Sequence, residues 1–157
     1  EWTEFRNLDG DSPTWEIPAV RMKTGAAHVV PLSRQSVAIL AHLKGLGAGS
    51  RYILPGRNAD KPISSNTLLF ALYRLGYKGK MTGHAFHAVA STIQSEAGFR
   101  PDGIERRLAH CARNEIRGAH NRTDYLDEPR KMMQQWADML DALAQGAQLI
   151  PLQRKTK

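Results

Sequence analysis

Thr14-Trp15-Glu16-Ile17-Pro18, then the segment through Lys23-Thr24-Gly25, then His28-Val29-Val30-Pro31-Leu32-Ser33 form the stretch that decides how this chain is read. Two short runs of β-branched and aromatic residues around a turn-forming segment predict an antiparallel hairpin. Ser33 is a good N-cap, and Val37, Leu40 and Leu43 follow on one helical face until Gly45 and Gly47 stop the helix. Arg51 to Leu54 reads as one more short strand, ended by Pro55-Gly56. Ser64 or Ser65 caps a helix whose stripe is Leu68, Leu69, Leu72 and Leu75, closed by Gly76. Further helices are expected over 84–97, 101–108, 115–121 and 128–145. In the last, Met132, Trp136, Leu140 and Leu143 form an apolar stripe for core or interface packing. The fold class is mainly α with a small antiparallel β-sheet near the N-terminus.

At 157 residues the chain is one ordinary domain, large enough to bury a core without disulfides. The single cysteine, Cys111, excludes an intramolecular disulfide framework and fits a reducing cytosol, so a cytoplasmic location is expected. No apolar run approaches membrane-spanning length and no secretory leader opens the chain, which argues against a membrane protein or a secreted precursor. Glu1-Trp2-Thr3-Glu4-Phe5 reads as structured from its first residue, so an upstream portion is expected.

The net charge of +7 calls for an acidic partner, nucleic acid or an anionic membrane surface, and charge alone does not choose between them. Its placement is informative. Residues 1–20 hold five acids and one base, whereas residues 21–80 hold ten bases and Asp60 alone. Such an excess favours a phosphate-binding surface.

Walker, dinucleotide-binding, C-x-x-C and G-x-S-x-G motifs are all absent, which removes sequence support for nucleotide hydrolysis, dinucleotide chemistry and α/β-hydrolase chemistry. Histidine remains. His84 and His87 sit three apart, on one face of a helix, and His110 and His120 follow. Met22-Lys23 and His28-Val29-Val30-Pro31-Leu32-Ser33 are followed by Thr82-Gly83-His84-Ala85-Phe86-His87 with Ala90-Ser91-Thr92. Ile104-Glu105-Arg106-Arg107-Leu108-Ala109-His110 and Ala119-His120-Asn121-Arg122 complete the set. In that order and with those gaps, the motifs resemble the catalytic domain of tyrosine recombinases, most nearly the phage and genomic-island integrases of the satellite-phage type.

The resemblance implies the tyrosine recombinase catalytic fold over residues 1–147, without its N-terminal part, and a basic tail over 148–157. It implies site-specific DNA recombination and integration on double-stranded, attachment-site DNA, with no cofactor and no membrane. In the family a tyrosine attacks the scissile phosphate and forms a 3′-phosphotyrosyl link. Two arginines stabilise the phosphoryl oxygens, a hairpin lysine protonates the leaving oxygen, and histidines support orientation and proton transfer. Lys23 matches the hairpin lysine, His84 the first residue of H-x-x-R, and His110 the histidine of L-[GA]-H. Lys23, Arg57 and Lys61 are the DNA-binding candidates within the basic stretch.

Two family positions are substituted. His87 stands where the family has its second phosphate-binding arginine, and imidazole has neither the reach nor the bidentate fork of guanidinium. His120 stands at the nucleophile position, in a segment that usually reads A-Y-N-R. Tyr125 is five residues further on, about 7.5 Å and 140° around a helix, too far for in-line attack. The family's first arginine lies upstream of Glu1. The expectation is a DNA-binding fragment that does not cleave.

Alternatives from other classes are a non-catalytic DNA-binding or interfering remnant, self-associating or joining intact integrase protomers, and a metal-binding protein built on His84, His87, His110 and His120. No nearby carboxylate pair supports a hydrolytic metal centre, and helix offsets of a few ångströms destroy coordination geometry, so no metal is expected.

Overall fold

The hairpin forms where its composition places it. In the computed structural model, which describes residues 1–47, 49–96, 98 and 122–147 (with the side chains of 122–125 left aside), strand β2 is Thr14–Ile17 and β3 is His28–Pro31. They pair antiparallel with Trp15 opposite Val30 and Ile17 opposite His28. A two-residue strand, β1 (Phe5–Arg6), adds to the other edge of β2, so the sheet order is β1-β2-β3. Strand β1 was not expected, because two residues carry no alternation to read. Its register sets Phe5 against Trp15, and the rings stack at 5.9 Å with planes 7° apart. With Val30 beyond Trp15, an aromatic–aromatic–aliphatic row crosses all three strands, the kind of pairing worth about 0.2–1 kcal/mol per pair. Pro31 lies on edge strand β3, where a missing N–H is tolerated.

Ser33 caps helix α1 (Arg34–Leu46) as expected: its Oγ accepts the Ser36 N–H at 3.2 Å, and the residue is almost fully buried. Gly45 does not stop the helix, and Gly47 is its C-cap. The strand expected over 51–54 does not form. Leu54 and Ile63 share a backbone hydrogen bond and Pro55 bridges Pro62, but two prolines, each without an N–H, keep the ladder from extending.

Helix α2 is Thr67–Leu72, capped at Asn66 rather than at either serine; the Ser64 hydroxyl instead accepts the Asn66 N–H within a preceding turn. The helix runs into a wide turn at Tyr73–Tyr77, and Gly76, at φ +85°, supplies the left-handed residue that ends it. Helix α3 is Gly83–Glu96, close to its expected bounds. The helices expected at 101–108 and 115–121 and the tail at 148–157 lie outside the described residues.

Helix α4 (Arg122–Ala144) begins six residues before its expected start and runs through Pro129. Pro129 sits inside the helix and costs it one hydrogen bond. Met132 of its stripe is buried, whereas Leu140 stays exposed. A polar clasp docks α4 on the start of α1. Gln134 Oε1 accepts the Arg34 backbone N–H at 3.0 Å, one of the N–H groups that a helix start leaves unpaired. Gln134 Nε2 donates to Gln35 Oε1 and Asp138 Oδ1, and Gln35 Nε2 donates to Asp138 and Asp141 at 2.7 and 2.8 Å. The hydrogen bonds from Gln35 and Gln134, with Arg34 nearby, hold the Asp138 carboxyl below its ordinary pKa. The buried part of the stripe thus packs within the chain.

Candidate nucleic-acid interface

The ten-residue connection between β2 and β3 is built from consecutive turns rather than a tight loop. Arg21 N–H donates to the Pro18 carbonyl, Met22 to Ala19 and Gly25 to Met22, each at 3.0 Å, and Gly25 turns at φ +67°. Lys23 sits between the last two of these bonds, exposed to solvent, and no carboxylate among the described residues pairs with it.

Arg57 and Lys61 lie on a second exposed segment. Gly56 N–H donates to the Lys61 carbonyl at 2.7 Å and Lys61 N–H to Asn58, while Asn58 Oδ1 accepts the Asp60 N–H at 2.9 Å. These bonds close a small loop that carries both cations outward.

His84 and His87 occupy the first turn of α3, both exposed, with parallel rings whose centroids are 6.2 Å apart. Their i, i+3 spacing on one helix produces this arrangement. His110 and His120 lie outside the described residues. Among the described residues no group of three or more histidine, cysteine or carboxylate side chains is placed to hold a metal. A groove of about 600 Å³ beside the α1–α4 clasp, lined by Leu8, Leu32, Arg34, Arg130 and Lys131 among others, contains none of the expected site residues.

The basic stretch over 21–80 is less bare than its composition implies. Arg21 pairs with Glu4, Arg34 with Asp138 at 3.3 Å, and Arg51 with Glu1 at 3.8 Å while covering the Tyr52 ring. Three of its ten bases therefore meet carboxylates from outside the stretch. Sequence reading missed Glu4 altogether. Its largely buried carboxylate accepts the Trp15 indole N–H at 2.9 Å on Oε2 and the Arg21 guanidinium on Oε1, with the Glu1 amino group 3.5 Å from Oε2. Burial pushes the Glu4 pKa up, but the hydrogen bonds from Trp15 and Arg21 and the nearby positive charges outweigh it and hold the group below its ordinary value. A glutamate seventeen residues before its arginine, on a different element, leaves no local pattern to find.

No membrane-crossing helix is present among the described residues. No protein-family model and no solved structure matches the chain. Among curated proteins it is 44% identical, over 93% of its own length, to the prophage integrase IntA of Escherichia coli. It is 42% identical over 91% to the prophage integrase IntZ of the same organism, and 39% identical over 88% to the integrase of Shigella phage Sf6. The chain spans about 35% of the length of these relatives. Kinship at this level, along nearly the whole of the sequence, places the chain in the phage and prophage integrase family.

Proposed function

We propose that residues 1–147 are part of an integrase catalytic domain that docks on double-stranded DNA without cutting it, with residues 148–157 a basic tail. The observation that carries this reading is the exposed His84–His87 pair at the start of α3. Where the tyrosine recombinase mechanism calls for a guanidinium clamped on the phosphate, an imidazole stands beside its neighbour, without a fork to grip two oxygens. His120 at the nucleophile position compounds the loss, because imidazole offers no phenolic oxygen for a phosphotyrosyl link. Lys23 keeps the hairpin cation, and Arg57 and Lys61 add exposed charge that favours the DNA backbone.

Binding of this kind is electrostatic and sequence-tolerant. Fluorescence anisotropy with a labelled duplex is expected to give weak affinity whose logarithm falls linearly with the logarithm of salt concentration. Affinity that does not change with salt would refute an interface made of phosphate contacts. Association with intact integrase protomers and use at attachment sites belong to the same reading, and a shift of the DNA complex formed by a full-length relative would register the first. A metal centre on the four histidines is the weaker reading, and metal analysis of protein prepared without an affinity tag separates it.

A further inference from the structure

Arg21 opens the basic stretch and lies two residues before Lys23, so composition alone counts it as another phosphate contact. Its surroundings give it different work. The guanidinium donates to Glu4 Oε1, and the other oxygen of the same carboxylate is held by Trp15. Glu4 thereby joins the 3₁₀ turn Trp2–Glu4, strand β2 and the 3₁₀ turn Ala19–Arg21 that begins the β2–β3 connection. Its side chain is only 11% exposed, against 51% for Arg21. Moving the arginine to a phosphate would take the guanidinium donor from a nearly buried carboxylate oxygen, and losing such a partner is costly. Beyond Arg21 the connection is held by the Met22-to-Ala19 and Gly25-to-Met22 backbone bonds, and Lys23 rides between them. Among the described residues, no other side-chain hydrogen bond or ion pair reaches this connection from the body of the domain.

We propose that Arg21 is a positioning residue: latched to Glu4, it fixes the β2–β3 connection so that the Lys23 ammonium is presented at one place on the DNA-binding face. The presentation to DNA rests on the DNA-binding reading above, whereas the latch itself does not. The two possible roles of Arg21 predict opposite signs for one substitution. Glu4→Gln removes a negative charge, so if Arg21 were a phosphate contact held back by Glu4, the variant would bind duplex DNA more tightly. A latch gives the reverse, because freeing the connection scatters Lys23.

The test measures low-salt duplex affinity for Glu4→Gln, Arg21→Met, Lys23→Met and the Arg21→Met, Lys23→Met double variant. It also measures amide hydrogen exchange at Met22 and Gly25 without DNA. Expected are weaker binding in Glu4→Gln, losses of several-fold in each single methionine variant, a double variant no worse than about twofold beyond either, and exchange about tenfold faster in Glu4→Gln and Arg21→Met. Arg21 and Lys23 are both exposed enough that the methionine cycle remains readable even if Glu4→Gln does not fold. Tighter binding by Glu4→Gln, multiplicative losses in the double variant, or unchanged exchange would overturn the proposal. Faster exchange in a chain whose unmodified form binds no duplex at all would overturn the DNA-binding reading and leave the latch standing.

Discussion

The sheet with α1 and α4 differs from the α2–α3 segment in the long-range side-chain hydrogen bonds that tie it together among the described residues. In the first region, Ser33 caps α1, Gln134 satisfies a helix-start N–H, the Trp15 indole and Arg21 share Glu4, and three aromatic or aliphatic residues line up across the sheet. In the second, Gln94 is fully buried with neither its amide nitrogen nor its oxygen hydrogen-bonded. Exposed apolar side chains occur in both, Val20, Ile39, Leu46 and Leu140 in the first and Leu68, Phe70, Leu75, Phe86 and Val89 in the second, and Arg130 Nη1 on α4 also lacks a partner. A polar group buried without a partner and apolar groups left in water are both unfavourable. The contrast follows the division of labour in the proposed function. The hairpin that carries Lys23 is tied down by the bonds to Glu4, and the helix that carries His87 buries an amide without a partner.

Gln94 gives the largest way to test that contrast. Gln94→Leu removes an unpaired buried amide for a side chain of similar size, and a gain of about 1–3 kcal/mol in urea unfolding is expected. No gain, or a loss, would mean the amide is satisfied, and the two regions would no longer differ in this respect. Next comes the basic face: reversing Lys23 together with Arg57 or Lys61 is expected to weaken low-salt duplex binding by about tenfold or more, and more than reversing Arg154 and Lys155 in the tail. Equal effects would indicate undirected attraction. A smaller effect is expected at the cap of α1, where Ser33→Ala should cost about 1 kcal/mol of stability by losing the bond to the Ser36 N–H.

The smallest effect is a pH dependence. Glu4 titrates in the folded chain below its ordinary value of 4.5, so it stabilises the fold above that value, and the contribution fades as pH falls through the lower folded pKa. Glu4→Gln should therefore lose less stability than the unmodified chain on acidification below about pH 4.5. Parallel acid unfolding curves would show that the latch adds nothing to stability.

These effects also mark how far the sequence could be read. The hairpin and the Ser33 cap were legible because each is written in a few adjacent residues with a local physical preference. The Gln35–Asp138 and Glu4–Arg21 pairs were not, since hydrogen bonds between side chains 103 and 17 residues apart follow from tertiary placement and leave no periodic trace. The start of α4 was misplaced by six residues, and the helix runs on through Pro129 while packing against β3 and α1. Lys23, His84 and His87 were singled out by motif spacing, and the structure adds that both histidines are exposed and side by side. The charge excess over 21–80 was legible as a total but not as a surface, because partners for Arg21, Arg34 and Arg51 come from elsewhere in the chain.

The central claim, DNA docking without cleavage, is tested most directly by incubating the chain with a nicked suicide duplex that an intact relative cleaves and traps. Denaturing electrophoresis then reads any covalent protein–DNA species. The account predicts none, and predicts none for His120→Tyr either, because position 87 would still lack its arginine and the parts of one catalytic unit do not act additively. A covalent adduct formed by the unmodified chain and mapped to Tyr125 or His120 would contradict it.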